Sequence, residues 1–233
     1  METDLGIGFL WFVVFLLSTT VHEAMHALVA WKGGDPTAYH GGQVSLSPIP
    51  HIRREPIGML AVPLLTAFTQ NWVMGWASAP YDPVWAERHP RRAALMAAAG
   101  PAGNFLIALG AFALIKIGLV AGLFGAPDSA NFSRIVAMAS GDASFLATAL
   151  SILLMFNVIS GVFNLLPFPP LDGSAVITIF LPDRMAEGLR NLQSNGAFSL
   201  IGLLIAWKVF PIFTRPLFTI VLKLVHPGTE YGP

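Results

Sequence analysis

The chain has 233 residues, 55% of them hydrophobic and 11% charged, with 13 basic and 13 acidic side chains and no cysteine. A formal net charge of zero offers nothing to nucleic acid, and the lack of thiols removes disulfides, thiolate metal sites and cysteine nucleophiles together. Apolar runs too long for core helices indicate a polytopic α-helical membrane protein, in which any metal must be held by His, Asp or Glu.

The first apolar run, Leu5 to Trp31, is long enough to cross a bilayer, yet it contains His22, Glu23 and His26. Histidines four apart share one helix face, so both imidazoles can grip one metal ion while Glu23 stands beside them as a base for water. Three ionisable groups in a membrane helix are costly without partners or a function. The bland alternative is a polar patch between helices. Because Met1-Glu2-Thr3-Asp4 is acidic and the run carries this motif where a signal peptide would end in a small-residue cleavage site, it reads as a retained helix.

Lys32-Gly33-Gly34-Asp35-Pro36 is a stop and turn. Gln43 to Ser47 alternates polar and apolar residues before Pro48 and Pro50, which predicts a short strand or hairpin beside the membrane. Ile57 to Trp76 is apolar but holds Pro63, Thr66, Thr69, Gln70 and Asn71, and the basic loop Arg88-His89-Pro90-Arg91-Arg92 precedes a long apolar helix from Ala93 to Phe124. A loop with Asp128, Arg134 and Asp142 leads to a helix from Phe145 to Phe168. Leu181 to Asn195 is amphipathic, and Ala197 to Leu224 is a last apolar segment interrupted by Pro211 and Pro216. With no repeat and no linker, residues 1–233 read as one membrane-embedded domain, with a core over 5–180 and C-terminal amphipathic and hydrophobic segments over 181–225.

The Phe145 helix ends in Asn164-Leu165-Leu166-Pro167-Phe168-Pro169-Pro170-Leu171-Asp172-Gly173. Its prolines break the helix at membrane depth, which is tolerated only where protein or a cavity satisfies the freed carbonyls. Asp172 at that break is a carboxylate of the kind that completes a two-histidine zinc site, or, more plainly, a turn residue before Gly173. Asn164 and Asn104 also have a structural reading, as interhelical hydrogen-bonding or capping groups. His40 and His51 read as interfacial histidines without a metal role. Trp11, Trp72, Trp76 and Trp85 read as interface anchors.

Three blocks in order, His22-Glu23-x-x-His26, Gly100-Pro101-Ala102-Gly103-Asn104 and Asn164-x-x-Pro167-x-Pro169-x-Leu171-Asp172-Gly173, resemble the site-2 protease family of intramembrane zinc metalloproteases. The likeness covers residues 5 to 180 and is to the small prokaryotic members without a PDZ domain. It implies one zinc ion on His22, His26 and Asp172, Glu23 as catalytic base, and Asn164 holding substrate or oxyanion. The implied activity is peptide hydrolysis in or near transmembrane segments of membrane proteins, and the implied setting is a bilayer, the prokaryotic cytoplasmic membrane. The alternating stretch Val44 to Ser47 would help by adding the extended substrate as a strand. The alternative is a non-proteolytic zinc-binding transporter or sensor, against which stand the lack of repeat symmetry and the superfluity of Glu23.

Topology adds a constraint. For His22, His26 and Asp172 to meet, the first helix and the Phe145 helix must run in the same direction, with the Ala93 helix antiparallel to both. The expected architecture is therefore all-α, with about four full transmembrane helices, Ile57 to Trp76 as a re-entrant or partial segment, and a short membrane-associated β-hairpin. Lys32, Arg53 and Arg54 before that segment and Arg88, Arg91 and Arg92 after it place both flanks in the cytoplasm, with the zinc toward that side.

Overall fold

The computed structural model describes residues 4–141, 144–193 and 196–228. The expectations for residues 1–3 and Asp142 fall outside them.

Helix α1 spans Leu5–Lys32, opened by the Asp4 carboxylate, which accepts from the Gly6 and Ile7 amides at 2.8 and 3.2 Å. Short helices α2 (Thr37–His40) and α3 (Pro48–Arg54) follow. A π-helical turn, Ile57–Ala61, runs into α4 (Val62–Gln70); α5 is Pro83–Arg88 and α6 is Pro90–Val120. Strands β1 (Phe124–Gly125) and β2 (Ala137–Met138) pair antiparallel, Phe124 opposite Met138, in the connection to α7 (Phe145–Asn164). The chain ends through α8 (Asp172–Val176), a 3-10 turn Ile177–Phe180, α9 (Asp183–Gln193), α10 (Gly196–Val209) and α11 (Pro211–Val225).

Among the described residues α1, α6 and α7 are each long and apolar enough to cross a membrane, and α10 with α11, bent by 49°, makes a fourth span if the pair is counted as one. The expected all-α polytopic architecture holds. Small residues let α6 lie against the other spans: Ala94, Ala97, Gly100, Asn104, Ala108 and Ala111 recur at helical spacing on its buried side, whereas Leu106, Leu109, Leu114 and Ile117 face outward, as lipid contact requires. Contacts to α1 run in opposite sequence order on α6, His26 meeting Met96 and His22 meeting Asn104, so the two helices are antiparallel. Phe15 packs on Phe156 and Ser18 bonds to Asn157 before Asp172 reaches the histidines, so α7 runs parallel to α1.

The segment from Ile57 enters and returns. Its helical part has five plus nine residues, about 21 Å at 1.5 Å per residue, too short for a hydrocarbon core of about 30 Å. Asn71 then turns the chain in a left-handed conformation (φ 48°), and the return stretch bonds to the entry: Met74 N–H to Thr66 Oγ1 at 3.0 Å and Trp76 N–H to Gly58 O at 3.1 Å. A Cβ at Gly58 would strike the Trp76 backbone, so glycine is what permits this approach. The re-entrant reading of Ile57 to Trp76 agrees with this path.

The strand expected at Gln43 to Ser47 does not form; Val44, Ser45 and Leu46 make a bend, and the two-stranded sheet lies between α6 and α7. The alternation is inverted with respect to the core. Gln43 is buried, its amide donating to Ser78 O at 3.4 Å, while Leu46 is 71% exposed, and Ser47 already caps α3. Two tryptophans also depart from the interfacial reading. Trp11 is 1% exposed with its indole N–H donating to Ser133 Oγ, and Trp85 is buried against Gly33 O. His51, too, is buried rather than interfacial.

Candidate metal centre

The late turns of α1 bring His22 and His26 together on one face, both buried, with their Nε2 atoms 3.0 Å apart. Asp172 opens α8, directly after the proline-rich break, and its carboxylate meets the pair: Oδ2 lies 3.2 Å from His22 Nε2 and Oδ1 3.4 Å from His26 Nε2. Two glycines make this convergence possible. A Cβ at Gly100 on α6 would fall on the Nε2 atoms of both histidines, and one at Gly173 would strike the backbone of Leu165 and Leu166 at the end of α7.

The other nitrogens of both rings are engaged. His26 Nδ1 is 2.7 Å from Met96 O, a carbonyl that can only accept, so this nitrogen carries a hydrogen, and in the neutral ring Nε2 bears the lone pair. His22 Nδ1 is 2.6 Å from Asn104 Oδ1, the same arrangement. With both rings neutral, two lone pairs and a carboxylate face one another, and Asp172 Oδ2 has no hydrogen-bond partner. In that state three acceptors at this separation repel unless a cation lies between them, and neutral imidazoles with a carboxylate are a donor set that fits a divalent metal. Two imidazoles and a carboxylate with a position left open is a zinc set.

Glu23, 5% exposed, offers a carboxylate oxygen within 4.8 Å of the ring nitrogens. Asn164 does not join this group: its amide donates back to Ser160 O at 3.1 Å on its own helix. His51 Nε2 turns to Ser45 O, and His40 is exposed in α2.

Sequence reading missed how the ring of His22 is held. Asn104, read there as structural, touches His22 directly, and behind it stands Asn157, which passed unnoticed. An amide inside an otherwise apolar membrane helix was the available signal.

The profile described as Peptidase family M50 matches residues 10–208. Over 185 residues the chain is 30% identical to "Putative zinc metalloprotease YwhC" of Bacillus subtilis, covering 79% of this chain and 74% of that protein. It is 26% identical over 219 residues to "Putative zinc metalloprotease Rip2" of Mycolicibacterium smegmatis, covering 93% and 73%, and 29% identical over 192 residues to the Mycobacterium tuberculosis protein of the same name, covering 82% and 63%. No solved structure matches the chain at a significant level. The profile match runs through the α1 histidines, the α6 glycine that seats them and Asp172, and the chain belongs to peptidase family M50, the site-2 protease family of zinc metalloproteases.

Proposed function

We propose that this protein is an intramembrane zinc endopeptidase that hydrolyses peptide bonds in or near transmembrane segments of other membrane proteins. The observation that carries the reading is the convergence of His22 Nε2, His26 Nε2 and the Asp172 carboxylate, beside Glu23, inside helices long and apolar enough to cross a bilayer. His22, His26 and Asp172 hold one zinc ion. Bound there, the metal supplies Lewis acidity and lowers the pKa of the attacking water toward neutrality.

Glu23 takes a proton from that water and delivers it to the departing amine, so that the peptide C–N bond is exchanged for C–O and the products are a new carboxyl group and a new amino terminus. Burial of Glu23 keeps bulk water from competing for the proton. Asn164 is assigned to the substrate backbone, which it reaches by exchanging Ser160 for the substrate. Because a membrane helix hides its backbone in its own hydrogen bonds, the substrate segment unwinds locally before cleavage. Residues 1–233 act as one membrane-embedded domain, and the zinc lies toward the cytoplasmic side, where the basic flanks of the re-entrant segment sit.

Glu23→Gln tests this reading against zinc transport. The variant holds about one zinc per chain and no longer cleaves a membrane substrate; zinc flux into proteoliposomes that survives the substitution would overturn the protease reading.

A further inference from the structure

Behind His22 lies a chain of amides that crosses all three long helices. Asn104 on α6 accepts from His22 Nδ1 through Oδ1 and donates through Nδ2 to Asn157 Oδ1 on α7 at 2.9 Å. Asn157 Nδ2 in turn donates to Ser18 Oγ on α1 at 2.9 Å and to Leu153 O at 2.8 Å. Asn104, Asn157 and Ser18 are fully buried, each 0% exposed. Three polar side chains at this depth are costly unless fully connected.

The direction of the chain is fixed at its far end. Leu153 O is a backbone carbonyl and can only accept, so Asn157 must turn its NH2 toward it and its oxygen toward Asn104. Asn104 must then present NH2 to Asn157 and oxygen to His22, and His22 must carry its hydrogen on Nδ1. Reversing any one amide sets two acceptors or two donors face to face. In the neutral ring the outcome is a lone pair on His22 Nε2, the atom that meets Asp172.

We propose that Asn104 and Asn157 are positioning residues that lock His22 in its metal-binding tautomer, with Asn157 acting through Asn104 and touching no ligand. This rests on the zinc reading of the site, but it also concerns the metal-free ring. Without Asn157, Asn104 is free to turn its NH2 toward His22, which moves the ring hydrogen to Nε2 and blocks the metal.

Rescue tests it. Asn157→Leu weakens zinc binding by about 10- to 100-fold, the usual effect of losing an outer hydrogen-bond partner, measured by chelator competition on full-length protein. Adding Asn104→Asp restores most of the affinity, because a carboxylate accepts from His22 in either orientation and needs no anchor. A merely structural Asn157 predicts the reverse, since a further buried charge deepens the loss. Imidazole 15N spectra of the metal-free protein give an independent readout: His22 is the Nδ1–H tautomer in the parent and in the double variant, and Nε2–H in Asn157→Leu. Failure of the double variant to regain affinity, or an unchanged tautomer in Asn157→Leu, overturns the proposal. Absent zinc binding by the parent with the expected tautomers in place would overturn the metal site alone.

Discussion

Arg92 Nη1 donates to the carbonyl of Gly33 across 3.0 Å, joining the first turn of α6 to the residue that ends α1. Everything between them, including the re-entrant segment, therefore leaves and returns at one end of the bundle. Ser78 repeats the closure, its hydroxyl donating to Glu55 Oε1 at 2.7 Å while it accepts from Arg54.

This topology can be labelled. Single cysteines placed at Lys32 and at Arg91 in the cysteine-free chain react with an impermeant thiol probe from the same face of sealed membranes, and from the cytoplasmic one. Labelling from opposite faces would require Ile57 to Trp76 to cross, and would contradict the re-entrant path.

Gly100→Ala plants a methyl group on the Nε2 atoms of His22 and His26. Zinc affinity falls at least about 10-fold, read by chelator competition. Gly110→Ala on the same helix, where an added Cβ meets nothing within 4 Å, leaves it unchanged. Equal effects would place the histidines elsewhere.

Gly173→Ala acts on the proposed third ligand. The new Cβ collides with the Leu165 and Leu166 backbone and pushes the α8 turn, with Asp172, away from the rings. Zinc binding weakens as in Asp172→Ala, while the α1 histidines stay in place. Full retention of zinc in both variants would remove Asp172 from the site.

Asp35, 1% exposed in the turn after α1, gives a pH signature outside the membrane. Burial pushes its carboxyl up, but bonds from the Thr37 hydroxyl and the Asp82 and Thr37 amides outweigh that and hold it below the usual carboxylate range. A folded-state value below the unfolded value of about 3.9 means stability that is fully present above that pH and is lost as pH falls through the folded value. Asp35→Ala costs about 1.5–3 kcal/mol at neutral pH, the worth of a hydrogen bond to a charged group. In thermal unfolding the gap to the parent closes as pH drops below about 4; a gap independent of pH would mean that the carboxylate charge plays no part.

Much of this molecule is legible in one dimension. The His22, Glu23, His26 spacing survives folding because four residues make one helical turn, and the demand that Asp172 reach the same depth was enough to turn Ile57 to Trp76 back on itself. The strand at Gln43 to Ser47 failed because alternation says which residues differ, not which face is buried, and Gln43 is held inside by the Ser78 carbonyl. The interhelical bond expected of Asn104 is present, but its contact with His22 and the part of Asn157 were not legible, for another reason. A lone amide in a membrane helix looks alike whether it caps, bridges or orients, and only its partner in space decides.

The most direct measurement is a cut site. Zinc-loaded protein and its Glu23→Gln variant are reconstituted in liposomes with a single-span membrane substrate, and the products are mapped by mass spectrometry. The zinc-loaded parent yields a new amino terminus within or beside the apolar span, chelation abolishes it, and Glu23→Gln gives none. Cleavage that persists in Glu23→Gln or in strong chelator, or that falls only in the soluble part of the substrate, would contradict intramembrane zinc proteolysis.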